Sequence, residues 1–320
     1  MRRFTPNPIL YIVILSCGLL IPFGFELRHH SVFNCPADGY GSNHYLAYCH
    51  VEMYGDYDHS AFWFDLEPDI VRFARDADVM FLGNSRMQFG FSSQATRDWF
   101  SSANNHYFLL GFSSDENMTF AAPILSKIQP QAKVYIINVD RFFEDRETAI
   151  GREILRDKDA QRRAKEKHFW QALHKQICTT LSVACGTKTS FFRLRETGEW
   201  NLKGSRDWSA APVTIGSPSD SELWDEYAVL GEQFISRLPV DRRCVVLTIV
   251  PSEKTKLAEA MAIASALKLD LFAPQLDGLQ TFDQSHLDRP SAERWSHGFF
   301  QIAGPRIREC LGNVPRLSSE

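Results

Sequence analysis

A serine that ends an apolar run through a Gly-x step, in Val79-Met80-Phe81-Leu82-Gly83-Asn84-Ser85-Arg86, and a distant Asp-x-x-His segment, Asp283-Gln284-Ser285-His286-Leu287, supply the three side chains of serine-based acyl transfer. A serine hydroxyl is a weak nucleophile until a base takes its proton, and an imidazole oriented by a carboxylate does this on many unrelated folds. Side chains three residues apart on a helical turn or compact loop lie on one side. Asp283 can therefore accept the proton on Nδ1 of His286 and leave Nε2 for Ser85. Each piece alone has a plainer alternative, a chance Gly-x-Ser or a helix cap beside a surface histidine. Their joint occurrence, each beside a strand-like segment, favours the chemical reading.

Five apolar, β-branched segments read as strands able to position these residues: Asp78 to Leu82, Tyr107 to Leu110, Lys133 to Val139, Cys244 to Val250 and Leu269 to Phe272. Helical patterns lie at Ser92 to Phe100, Glu116 to Ile128, Ser221 to Leu238, Glu253 to Leu267 and Ala292 to Leu311. The alternation predicts a doubly wound α/β sandwich with a mostly parallel sheet. Ligands of such sheets bind at the carboxyl ends of the strands, and Ser85 falls just past the first. This α/β domain is expected over 77–314, with an insertion at about 141–220. The insertion opens with the charge-rich stretch Arg146 to Lys167, which reads either as a solvated helix face or, with Phe169, Trp170, Phe191, Phe192 and Trp200, as a lid. Residues 29–76 read as an aromatic-rich segment packed beside the sheet.

The chain resembles the SGNH (GDSL-type) hydrolase superfamily, in particular extracytoplasmic members anchored by one N-terminal helix, among them polysaccharide O-acetylation proteins. Gly83-Asn84-Ser85 aligns with the family's Gly-Asp-Ser block, with Asn in place of Asp, and Asp283-Gln284-Ser285-His286-Leu287 matches its Asp-x-x-His-Leu block in full. Ser296 sits where a small hydroxyl residue often follows. The resemblance spans roughly Ala77 to Leu311, and only the two end blocks are specific. It implies a flavodoxin-like α/β/α sandwich with a five-stranded sheet. Ser85 would be nucleophile, His286 base and Asp283 its orienting carboxylate, with an oxyanion hole from the backbone of Ser85 and Gly111 and from Asn138. The third block, Gly-x-Asn-Asp, has no clean counterpart. The third strand ends Asn138-Val139-Asp140, which sets Val139 where the asparagine belongs, and a one-residue shift in a strand turns a side chain to the other face. Arg86 after the serine would bind an anionic substrate group or pair with a carboxylate such as Asp140. The implied activity is esterase or O-acyltransferase on acyl, chiefly acetyl, esters of a surface or exported polysaccharide, without a cofactor. By analogy a membrane acyltransferase would be a partner. The missing block leaves a second reading, a degenerate SGNH-like domain serving as a binding or assembly subunit.

Arg2 and Arg3 precede the apolar run Ile9 to Phe25, whose length as a helix, roughly 26 Å, approaches a hydrocarbon core. An uncleaved anchor with a cytoplasmic N-terminus and a periplasmic domain is expected over 1–28, with a cleaved signal peptide as the rival. Besides Cys17, six cysteines remain: Cys35, Cys49, Cys178, Cys185, Cys244 and Cys310. An even number suits an oxidising compartment. The simplest of the 15 connectivities pairs them in chain order, with buried thiols as the alternative. A net charge of −4 and a pI near 6.2 provide no field for nucleic acid. The group His50, Glu52, Asp56, Asp58 and His59 carries metal-ligand chemistry but matches no defined loop. Tyr54, Tyr57 and Phe62 intervene as packing residues would, so no metal is expected.

Overall fold

The computed structural model describes residues 7–29, 33–51, 55–204, 208–216 and 222–312. It opens with α1 (Pro8–His29), 22 residues with a mean hydropathy of 2.2 over its most apolar stretch and no burial there against the rest of the chain. At 1.5 Å per residue it spans roughly 33 Å, long and apolar enough to cross a membrane. Then come β1 (His44–Cys49), β2 (Gly55–Asp56), α2 (Asp58–Trp63), α3 (Ile70–Asp76), β3 (Val79–Asn84), α4 (Ser85–Phe91), α5 (Gln94–Ala103), β4 (Tyr107–Phe112), α6 (Met118–Ile128) and β5 (Val134–Asn138). The second half holds α7 (Ala149–Arg156), α8 (Ala160–Thr180), β6 (Ser190–Leu194), β7 (Trp200–Lys203), β8 (Ala211–Pro212), α9 (Glu222–Ile235), β9 (Val245–Thr248), α10 (Leu257–Leu267), β10 (Gln280–Thr281) and α11 (Arg289–Cys310).

The main sheet is wholly parallel and has four strands in the order β4-β3-β5-β9. Every residue of these strands is buried because helices cover both faces, which is why they read as continuous apolar runs. Val79 and Phe81 point into one core with Phe91, Trp295 and Phe299; Met80 and Leu82 point into the other with Phe120 and Ile263. The expected fifth strand at Leu269 to Phe272 is reduced to a single parallel bridge, Leu247 with Leu271. Pro274, two residues past Phe272, cannot donate to a ladder. The helix expected over Ser92 to Phe100 is α5, with its bounds shifted to Gln94–Ala103; a further helix, α4, precedes it from Ser85, and the chain breaks at Ser92–Ser93, where Ser93 accepts the N–H of Thr96 and caps α5.

A second, antiparallel sheet, β2-β1-β6-β7, joins the segment before the main sheet to the insertion after β5. Three disulfides, Cys35–Cys49, Cys178–Cys185 and Cys244–Cys310, follow the simplest connectivity and leave Cys17 free in α1. Within the insertion, α7 and α8 pair through Arg163 to Glu153 and Asp157, the solvated-face reading of their charges. The hairpin β6–β7 instead brings Phe191 and Trp200 against Phe89 of α4.

Candidate active site

β3 passes into α4 without a loop. Gly83 makes the step possible, since a Cβ there would lie 2.9 Å from Cβ of Met87 and 3.0 Å from Cβ of Asn138. Asn84, extended, caps the helix by accepting the N–H of Arg86 at 3.0 Å, and its Nδ2 donates to the Asp140 carbonyl at 3.3 Å. Ser85 is therefore the first helical residue, at the carboxyl end of β3. Strand order reverses there: the next strand, β4, lies on one side and β5 on the other.

The second half of the site is a closed turn between β10 and α11. Thr281 bridges Leu287, and Phe282 N–H donates to the His286 carbonyl at 3.0 Å. Inside the turn, Oδ1 of Asp283 accepts the N–H of Ser285 at 3.1 Å and of His286 at 2.8 Å, an Asx-type closure. Gln284 takes a left-handed conformation, φ 69°, and its carbonyl accepts Glu253 N–H. Asp288 then caps α11 by accepting the N–H of Ser291.

The two halves meet. Nδ1 of His286 lies 2.8 Å from Oδ2 of Asp283, and Nε2 lies 2.8 Å from Oγ of Ser85. Burial pushes the Asp283 carboxyl up, but the hydrogen bond and charge of His286 and the two backbone N–H groups outweigh it and hold it below the usual carboxylate range. An ionised Asp283 only accepts, so Nδ1 carries the proton and Nε2 takes the serine hydroxyl. The imidazole is held between two rings, Phe89 at 4.8 Å and Phe282 at 5.6 Å between centroids, the latter nearly parallel. Neither phenylalanine was singled out from the sequence, though Phe89 stands one helical turn after Ser85 and Phe282 directly precedes Asp283.

Gly111 lies inside β4, opposite Gly83, and not after the strand. Its carbonyl accepts from Gln88 Nε2 at 2.9 Å and from Arg193, and a Cβ there would meet the Met87 side chain at 2.6 Å. Asn138 is fully buried beside Gly83. Its Oδ1 accepts Val250 N–H at 3.0 Å, which fixes the amide's orientation, while Nδ2 has no hydrogen-bond partner among the described residues. Arg86 pairs with Asp140 and donates from Nε to Ser285 Oγ at 3.0 Å. Ser296 Oγ bonds Ser93 Oγ at 2.7 Å, tying α11 to the cap of α5.

The group weighed for metal binding does not converge. His50 bonds Tyr48, Asp58 pairs with Arg193 and accepts from Tyr45, and Glu52 and Tyr54 lie outside the described residues. Asp56 and His59 do meet, in a buried cluster with Glu116. His174 approaches Cys178 and Cys185, but those two sulfurs are bonded to each other. No family model, no curated protein and no solved structure matches the chain, so the functional reading rests on this geometry.

Proposed function

We propose that the protein is a serine esterase or O-acyltransferase of the SGNH type, acting on acyl esters, chiefly acetyl, of a cell-surface or exported polysaccharide. The supporting observation is the continuous chain from Ser85 Oγ through both nitrogens of His286 to Asp283, with 2.8 Å at each step. In the reaction, Oγ of Ser85 attacks the ester carbonyl carbon and its proton passes to Nε2 of His286. The bond to the leaving oxygen breaks, and that oxygen takes the proton. Water or a sugar hydroxyl then attacks the acyl-serine, gives its proton to His286, and Ser85 regains its own. Asp283 holds the imidazole in the productive tautomer and offsets the imidazolium charge. The oxyanion hole is assigned to the backbone N–H of Ser85, at the first position of α4; Gly111, within β4, and Asn138, whose Nδ2 is enclosed on the α4 side of the sheet, are the further donors that the resemblance implies. The order β4-β3-β5-β9, continued by the Leu271 bridge, fits the flavodoxin-like 2-1-3-4-5 pattern that the resemblance implies. The helix α1 is read as a single-pass anchor with the domain on the periplasmic side, and a membrane acyltransferase as the partner in the transferase case.

The test is hydrolysis of a chromogenic acetyl ester, and labelling by a serine-directed phosphonate, with non-reduced protein. Wild type is expected to turn over and to be labelled, while Ser85→Ala and His286→Ala lose turnover by a factor on the order of 10³ or more. A folded wild type with neither turnover nor label would transfer the reading to a binding subunit of an envelope polysaccharide-modifying complex.

A further inference from the structure

Ser85, Phe89 and Ser92 stand at i, i+4 and i+7 of one helical stretch and its cap, so they share one face. Phe89 and Ser92, but not Ser85, line a cavity of about 620 Å³ whose far wall is β7 of the second sheet and whose other side is Phe282 and the start of α11. That volume is within the range of ligand sites, roughly 300–1,000 Å³. The cavity begins about one helical turn, roughly 5.4 Å along the axis, from the serine. Phe89 and Phe282, the rings that hold His286, form the boundary between the two.

We propose that this cavity is the acceptor subsite and takes a sugar unit bearing a carboxylate. The inference rests on the acyl-serine reading, because it places the glycan whose ester or hydroxyl meets Ser85. Two independent features support it. Sugar rings present apolar C–H faces and polar edges, and the lining offers both kinds of partner, the rings of Phe89 and Phe282 beside the polar side chains of Asn201 and Lys203. Trp200 stacks on Phe191 at 5.1 Å, lies under the Arg193 guanidinium and packs edgewise on Phe89 at 5.7 Å, so it backs this wall, while Phe89 and Phe282 carry the aromatic surface.

The second feature is charge. Arg97 is balanced by Glu199 at 2.7 Å, and Lys203 reaches the exposed Asp38 at 3.2 Å. Arg289, exposed at the first position of α11, lines the same cavity and has no carboxylate partner among the described residues. A guanidinium presents a planar fork of donors that fits a carboxylate with two parallel hydrogen bonds. A neutral hexose offers that group only hydroxyl oxygens; a uronic acid offers a charged, bidentate acceptor.

The experiment uses the full-length chain in detergent, as wild type and as Ser85→Ala, titrated calorimetrically with trisaccharides of galacturonic, mannuronic and glucuronic acid and with a neutral hexose trisaccharide. At least one acidic trisaccharide is expected to bind about tenfold or more tightly than the neutral one. Arg289→Glu, which a helix N-terminus tolerates, and Arg289→Gln should erase that preference. Equal affinity for neutral and acidic sugars, acidic binding indifferent to both Arg289 substitutions, or no binding by a folded protein would each overturn the proposal. The Ser85→Ala titration separates the two readings. Arg289-dependent binding without phosphonate labelling of wild type removes the acyl-serine chemistry and keeps the subsite, whereas labelling without sugar binding does the reverse.

Discussion

Arg86 connects the two halves of the site at the level of single side chains. Its Nη1 pairs with Asp140 at the end of β5 and its Nε donates to Ser285, which lies between Asp283 and His286. The same carboxylate lies 3.5 Å from Nδ2 of Asn84, the cap of α4. The guanidinium thus holds the turn that carries His286 at a fixed distance from the helix that begins at Ser85. Of the two roles open to Arg86 from the sequence, the pairing with Asp140 is present in the structure, and it makes Arg86 a positioning residue. A lysine keeps the charge but cannot span both partners. Arg86→Lys and Arg86→Ala are expected to lower kcat on the acetyl ester by about 10²-fold, the cost of displacing a catalytic group by an ångström, with KM changed by less than about threefold. A rise in KM with kcat preserved would show instead that Arg86 grips substrate.

Among the elements, α2 has six residues, too few to stand alone as a helix, and an ionic clamp fixes it. Its His59 is fully buried between Oδ1 of Asp56 at 2.9 Å and Oε2 of Glu116 at 2.8 Å, with Thr148 donating to Glu116 at 2.7 Å and Ser113 to Asp56. The clamp joins α2 to the loop after β4 and to the cap of α7, next to the carboxyl edge of the main sheet. Burial alone drives the imidazole down, but the charge and hydrogen bond of Asp56 and the bond to Glu116 outweigh it and raise His59 to about 10. Asp56 moves the other way, below the usual carboxylate range, because His59 and Ser113 outweigh its burial. A raised folded pKa stabilises fully below the unfolded value of 6.5 and is lost as pH rises through about 10. The unfolding free energy of wild type should therefore fall across that window, by at most about 1.4 kcal/mol per pH unit for this one proton. His59→Gln should remove that share of the slope, and identical slopes in urea melts from pH 6.5 to 10 would refute the clamp. Asp56 adds an acid limb: its share is present above 3.8 and is lost as pH falls through its lower folded value.

The elements also explain what the sequence made legible. Strands of a parallel sheet buried on both faces read as unbroken apolar runs, and the residues that end β3 and follow β10 carry distinctive types, so Ser85, Asp283 and His286 stood out. The second sheet did not. It pairs His44 with Leu194, remote in sequence, and its strands are short and aromatic without strict alternation. His59 and Asp56 were visible as a local group, but their partner Glu116 is remote, and a buried ion-pair clamp has no spacing rule. α4 was missed because seven residues carry too little periodicity and its cap, Asn84, also ends the strand.

For the whole molecule, the three disulfides and α1 bear on one question, the compartment of the domain. Cys35–Cys49 fastens the segment after α1 to the end of β1, an inner strand of the second sheet, Cys178–Cys185 closes the end of α8, and Cys244–Cys310 ties the start of β9 to the last turn of α11. Such bonds persist where the surroundings oxidise, outside the cytoplasm. The proposed anchor orientation, with Arg2 and Arg3 ahead of α1 on the cytoplasmic side, puts the domain in the same place by the positive-inside rule. The bonds also bear on stability. By loop entropy, Cys244–Cys310, with 66 residues of separation, is worth about 4 kcal/mol, enough to decide whether a domain of ordinary stability stays folded. Both inferences meet in one measurement on full-length protein from bacterial membranes, denatured and alkylated with a mass-tagged maleimide before and after reduction. Of the seven cysteines, only Cys17 should react before reduction and all seven after it. Seven reactive thiols without reductant would place the domain on the cytoplasmic side and leave the second sheet and the end of α11 without their cross-links.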